Sequence, residues 1–266
     1  MEANMTSNTF SVVGGGAVGK AVEAYYKNVK VYDKYHPRDS IEEAAAADYI
    51  FVAVPTPYDN GPDLTEMNDA IANIAVRLKT PEKQVIIIKS TVLPGTTDDY
   101  QAKYPDANFI FNPEFLTESA KEEDFAKPDK QLVGYTEKTK NFAADIMNVL
   151  PPAPYQKALP AKSAEMAKYA INAFYAFKVI FGNSIYDLCE KLEIDYDAVG
   201  SGHVADSRIV DSHFDVHHGG YRGYGGKCLL KDVDTLFWLA RQKNVDLGFI
   251  EKIIEINKNL RGETIK

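Results

Sequence analysis

The chain has 266 residues, 45% apolar and 26% charged, with a formal net charge of −8; that is enough apolar material for one large or two ordinary domains, and it argues against a nucleic-acid surface, which is normally basic. No apolar run approaches the roughly 18 residues of a membrane span, and residues 1–6 have neither the basic nor the apolar region of a secretion signal. Two cysteines, Cys189 and Cys228, are too few for a disulfide framework or a zinc site and fit a reduced cytosol.

Residues 9–13 predict a short buried strand, and residues 20–26 a helix. Between them stands Gly14-Gly15-Gly16-Ala17-Val18-Gly19. This is G-x-G-x-x-G in the setting that dinucleotide binding requires, strand before and helix after. Gly14 permits the tight turn, Gly16 the approach of a pyrophosphate, and Gly19 close helix–strand packing. A second strand at 29–32 ends at Asp33, 19 residues after Gly14 (33 minus 14). A carboxylate there binds the adenosine ribose and favours NAD over NADP, whose 2′-phosphate it repels. The alternative is a glycine-rich turn in an unrelated α/β domain.

Strand and helix signals then alternate. Strands are expected at 48–54, ending in Pro55-Thr56-Pro57, and at 84–89, ending in Ser90-Thr91-Val92-Leu93-Pro94-Gly95-Thr96-Thr97. Two more are expected at 108–111, ending in Asn112-Pro113-Glu114, and at 131–134. Helices are expected at 65–78 and 137–149. The pattern predicts a Rossmann-type, doubly wound parallel sheet with polar residues at the strand C-termini, where such sheets hold ligands. Pro151-Pro152-Ala153-Pro154 breaks it, which places an NAD-binding domain at 1–155 and a helical domain at 156–266.

Residues 161–192 predict one long helix with a wide apolar stripe that includes Met166, Phe174, Phe177 and Phe181. Glu165, Lys168 and Asn172 share one face at spacings of three and four. Core packing is the default reading of the stripe, and a solvated face that of the polar positions. Further helices are expected at 231–243 and 249–260. Cys189 lies in an apolar helical segment and reads as core.

Gly223-Tyr224-Gly225-Gly226-Lys227-Cys228-Leu229-Leu230-Lys231-Asp232 puts a thiol on a glycine-rich loop that a ligand can approach, with an aspartate four residues on. A buried cysteine beside a turn is the alternative. Lys227, beside the thiol, can depress its pKa, pair with an anionic substrate or point to solvent.

Taken in order, these motifs, with Asn112-Pro113-Glu114-Phe115-Leu116-Thr117-Glu118 and Asp206-Ser207-Arg208-Ile209, resemble the UDP-glucose/GDP-mannose dehydrogenase family. The resemblance implies NAD-dependent oxidation of C6 of a nucleotide sugar from alcohol to carboxylate, of the UDP-glucose to UDP-glucuronate type. Two NAD⁺ are consumed, and Cys228 carries a thiohemiacetal and then a thioester. It implies oxyanion stabilisation by Lys168 and Asn172, a general-base or water-positioning role for Asp232, and reaction-centre roles for Thr91, Glu114 and Glu118. By the same resemblance, Ala17, Val18, Lys34, Pro55, Thr56, Thr91 and Glu118 join Gly14, Gly16, Gly19 and Asp33 around NAD. Phe115, Leu116, Arg208, His213, Tyr224 and Gly225 join Lys168, Asn172 and Cys228 around the substrate, Arg208 reaching a neighbouring subunit's site. A cytoplasmic homodimer paired along the long helix follows. The family usually has serine or tyrosine at position 227 and proline at 230, and carries a second, UDP-binding α/β domain about where this chain stops. A two-electron β-hydroxyacid-type dehydrogenase acting on a smaller substrate, and a catalytically silent NAD-binding homologue, stay open.

Overall fold

A computed structural model describes residues 8–36, 38–117 and 119–262. The chain divides into two compact units, Met1–Lys168 and Tyr169–Lys266.

The first unit alternates strands and helices: β1 (Phe10–Val13), α1 (Ala17–Tyr25), β2 (Lys30–Tyr32), α2 (Ile41–Ala44), β3 (Tyr49–Val52), α3 (Thr65–Ala75) and β4 (Val85–Ile88). It continues through α4 (Thr96–Lys103), β5 (Asn108–Phe111), α5 (Lys121–Ala126), β6 (Lys130–Tyr135), α6 (Ala143–Val149) and β7 (Tyr155–Pro160). The sheet order is β2-β1-β3-β4-β5-β6-β7. Every neighbouring pair is parallel except β5 and β6. The central strands are buried on both faces. Ile50, Val52, Ile86 and Ile88 enter one core, while Phe51, Val85 and Ile87 enter the other. That split follows from the two-residue period of a strand and explains why these segments read as continuous apolar runs.

Near the end of this unit the structure departs from the sequence expectation in three places. The strand at 131–134 forms as β6 but pairs antiparallel to β5. The helix expected from 137 begins as a 3₁₀ turn at Lys140–Phe142 and becomes α-helical only at Ala143. After the prolines the chain rejoins the sheet as β7, an exposed edge strand whose last residue, Pro160, has no N–H to donate.

Helix α7 (Ala161–Leu192) keeps its predicted bounds and starts within the first unit. The second unit comprises the rest of α7 with α8 (Tyr196–Val204), α9 (Gly226–Gln242) and α10 (Gly248–Leu260). Its core gathers Ala173, Ala176, Ile180, Tyr224, Val233, Ile250 and Ile253. No helix among the described residues is long and apolar enough to cross a membrane.

Candidate functional site

In the first unit, the glycine turn sits where β1 meets α1. Gly14 has φ +107°, and a Cβ there would lie 2.4 Å from the Ala53 carbonyl oxygen. At Gly19 a Cβ would come 2.0 Å from Gly14 O. Gly16 differs: a Cβ there meets nothing within 4 Å. Gly16 is also the N-cap of α1, with no side-chain cap and no acid in the first turn. Open space before uncapped N–H groups suits a pyrophosphate. Ala17 is exposed and Val18 half-buried in that first turn.

Asp33 closes β2. Its Oδ2 accepts from Gly15 N at 2.8 Å, and its Oδ1 from Tyr35 N and His36 N at 2.9 and 3.0 Å. Burial works to raise its pKa, but these three donors and His36 hold it below the usual carboxylate range. A carboxylate offers about four lone-pair sites, so with three used it can still accept from a ribose hydroxyl. Lys34 is exposed and paired with Glu66 and Asp69 of α3. Thr56 and Thr91 are buried, and Thr56 Oγ1 donates to Thr91 O at 2.8 Å. Pro55, next to Thr56 in the chain, is exposed.

Beyond β5, Glu114 meets α7. Lys168 Nζ lies 2.7 Å from Glu114 O and 3.2 Å from Oε1. Glu114 Oε2 accepts from Leu116 N at 2.8 Å. Burial alone would raise the carboxyl's pKa, but the Lys168 charge, these bonds and Lys89 hold it below its ordinary value. Two ammonium groups approach the Phe115 ring, Lys130 at 4.2 Å and Lys168 at 5.0 Å from its centroid. Leu116 is half-buried. Glu118 lies outside the described residues.

Lys89 at the end of β4 was not anticipated. It is 3% exposed, donates to Asn112 Oδ1 at 2.7 Å, and sits 5.3 Å from the Phe125 ring. Burial, opposed by Glu114 and assisted by Lys168, lowers its pKa to about 7. Its signal was a lysine inside an apolar strand. Glu165 takes a structural part instead of joining Lys168 and Asn172. Its carboxylate accepts from Gly95 N, Thr97 N and Thr97 Oγ1, capping α4, whose own N-cap residue is a glycine.

In the second unit, Asp232 is fully buried. Asn172 Nδ2 donates to its Oδ2 at 2.6 Å, and Lys231 Nζ to its Oδ1 at 2.5 Å. Sequence reasoning passed over Lys231. Cys228 is exposed and Cys189 buried. The thiol lies in the first turn of α9, not on a loop before it. The helix starts five residues before its expected position because Gly225 is extended and Gly226, at φ +72°, turns the chain into the helix. Cys228 therefore sits one helical turn before Asp232, on the same face. That first turn carries no acidic residue. Lys227 is exposed. Tyr224 and Gly225 lead into the helix, Tyr224 buried.

Two further substrate-site candidates belong to the second unit. Arg208 is exposed and holds Asp206 through both carboxylate oxygens, at 2.9 and 2.5 Å. His213, at φ +66°, stacks on Tyr175 at 4.1 Å. Burial first, then Lys178 and His218, lower its pKa.

The profile of the UDP-glucose/GDP-mannose dehydrogenase family, NAD binding domain, matches residues 11–150, and that family's central domain matches residues 162–259. The UDP-glucose 6-dehydrogenase YwqF of Bacillus subtilis (strain 168) is 35% identical over 225 residues, 81% of this chain and 49% of that protein. The UDP-glucose 6-dehydrogenase of Rhizobium meliloti (strain 1021) is 34% identical over 229 residues, 81% of this chain and 51% of that protein. The chain spans about half the length of the curated relatives it matches. A UDP-glucose dehydrogenase from the archaeon Pyrobaculum islandicum superimposes with a TM-score of 0.80 at 27% identity, over 95% of this chain and 68% of that one. The 3-hydroxyisobutyrate dehydrogenase of Mycobacterium tuberculosis shares the fold alone, with a TM-score of 0.77 at 15% identity over 96% of this chain and 94% of that one.

Proposed function

The chain belongs to the UDP-glucose/GDP-mannose dehydrogenase family, and on that premise we propose that it supplies the NAD-binding and thiol-bearing parts of a nucleotide-sugar dehydrogenase. The reaction is oxidation of C6 from alcohol to carboxylate, as from UDP-glucose to UDP-glucuronate. The observation that carries this reading is the buried contact of Asn172 with Asp232 in the second unit, with Cys228 one turn before Asp232 on the same helix.

Gly14, Gly16, Gly19 and Asp33 hold the dinucleotide, with Ala17, Val18, Pro55, Thr56 and Thr91 lining it. Bound NAD⁺ supplies the hydride acceptor, one equivalent for each two-electron stage. Cys228 adds as thiolate to the aldehyde carbon, forming a C–S bond and an oxyanion that takes up a proton. Loss of the hydroxyl proton to a base and of hydride to the bound acceptor then leaves a thioester. Water cleaves the C–S bond, returning the thiol and releasing the acid. Lys168 has a third N–H beyond the two spent on Glu114, and Asn172 a second beyond the one on Asp232, so both retain a donor for the oxyanion. Asp232 orients or deprotonates water, and Glu114 exchanges protons with the substrate oxygen. Glu118 shares the reaction centre in this reading. Phe115, Leu116, Tyr224, Gly225, His213 and Arg208 contact the sugar nucleotide, Arg208 from a second subunit.

The same reading includes a cytoplasmic homodimer paired along α7. Phe174, Phe177 and Phe181 form an exposed ring ladder with centroids 6.0 and 6.2 Å apart, an apolar face of the kind that pairing covers. The test is NADH formation from UDP-glucose, other nucleotide sugars and simple hydroxy acids. Turnover with a nucleotide sugar is expected; turnover with hydroxy acids alone would replace this reading with the two-electron alternative.

A further inference from the structure

The segment leading into α9 is held by buried carboxamides from two other helices. Asn183 of α7 and Asn257 of α10 are 1% and 2% exposed. Asn257 Oδ1 accepts from Tyr224 N at 2.7 Å, and its Nδ2 donates to Tyr224 O at 3.0 Å. Satisfying the N–H and C=O of one residue together uses both ends of a carboxamide; an ionised carboxylate lacks the donor and an aliphatic side chain lacks both. Asn183 Oδ1 accepts from Gly223 N at 3.3 Å and Arg222 Nε at 2.5 Å, while its Nδ2 donates within α7 to Val179 O at 2.8 Å. Arg222 Nη2 also reaches Asn183 O and Asp187 Oδ1, at 3.1 and 2.8 Å.

The glycine between them fits nothing larger. Gly223 has φ +75°, and a Cβ there would stand 2.5 Å from Asn257 Oδ1. Three consecutive residues, 222–224, are thus fixed by buried groups, and the helix bearing Cys228 begins two residues later.

We propose that Asn257 and Asn183 are positioning residues for Cys228: by fixing the path of residues 222–224 they fix where α9 begins, and so keep the thiol in its first turn. The influence of a helix N-terminus on an anion falls off within one turn, so the thiolate population depends on this placement. The catalytic consequence rests on the reading of Cys228 as nucleophile; the positioning does not.

The test is the rate of Cys228 alkylation by iodoacetamide against pH in a Cys189→Ser background, with circular dichroism and thermal unfolding measured alongside. Lys227 and the helix N-terminus favour the thiolate, while the Asp232 carboxylate one turn on opposes it and is itself paired with Lys231; in the parent, the midpoint is expected below the ordinary thiol value of about 8.5. Asn257→Ala and Asn183→Ala should move it toward that value, and thiolate population at neutral pH falls about tenfold for every pH unit that the midpoint rises. Asn257→Asp, which keeps the acceptor and loses the donor, should move the midpoint in the same direction and decides the matter if Asn257→Ala does not fold. Asn108→Ala removes a buried carboxamide of the first unit that bonds Pro81 O and Gln84 O. It should lower the unfolding temperature and leave the alkylation profile in place. A folded Asn257 variant with the parent's profile overturns the proposal. So does an ordinary midpoint in the parent, or an equal displacement in Asn108→Ala. Failure to form NADH bears on the nucleophile reading instead and leaves the alkylation result standing.

Discussion

Lys168 Nζ sits 2.7 Å from the Glu114 carbonyl oxygen and 3.2 Å from its carboxylate, with both side chains largely withdrawn from water. Breaking such a pair leaves a buried charge without compensation, at a cost of about 3–5 kcal/mol. Lys168→Met should therefore lose about that much stability at neutral pH. The sign with pH is diagnostic. In the parent, Glu114 is held below its ordinary pKa, so its contribution is present above the unfolded value and lost as pH falls through the folded one. In Lys168→Met the carboxyl rises, and the deficit should shrink on acidification. Urea unfolding at several pH values measures both.

Lys89 predicts a second pH dependence. Burial lowers its pKa from 10.5 to about 7. Between those values the unfolded chain binds more protons at this site, so stability should rise with pH across that window and the gain should vanish below it. Lys89→Met should remove that rise. Denaturant midpoints from neutral to alkaline pH test it; an unchanged slope would mean that Lys89 keeps its ordinary pKa in the folded chain.

The glycine turn separates fold from ligand. Gly14→Ala and Gly19→Ala should destabilise, because each Cβ collides with backbone. Gly16→Ala should leave unfolding within about 0.5 kcal/mol of the parent, since its Cβ meets only open space, yet weaken NAD⁺ binding by calorimetry. Asp33→Ser should narrow the preference for NAD⁺ over NADP⁺. Equal binding of both cofactors by the parent would sink the role given to Asp33.

Much of this was legible in the sequence where one residue pattern meets one local structure. The β1–glycine–α1 turn, the buried strands β3 to β5 and the span of α7 follow from periodicity and turn chemistry alone. What escaped depends on distant partners. The start of α4 inside the Ser90–Thr97 motif requires Glu165, 68 positions from Thr97, to cap it. Residues 155–160 have too little apolar alternation to announce an edge strand. Lys89 reads as a strand end reaching water until Asn112 is seen to receive it. The supports from Asn183 and Asn257 cross 40 and 33 positions, beyond any local pattern.

The exposed ladder of Phe174, Phe177 and Phe181 predicts association. Phe177→Glu should convert a light-scattering dimer to a monomer without loss of helicity; a parent that is monomeric at micromolar concentration would remove the cross-subunit role given to Arg208.

Cys189→Ser should alter stability alone, because that thiol is buried in α7, whereas Cys228→Ser strikes the covalent step. The most direct measurement is NADH formed per nucleotide sugar consumed, in the parent and in Cys228→Ser. Two NADH per sugar in the parent, with that turnover lost in the variant, is the expected result. One NADH per substrate, unchanged by the substitution, would contradict the thioester route.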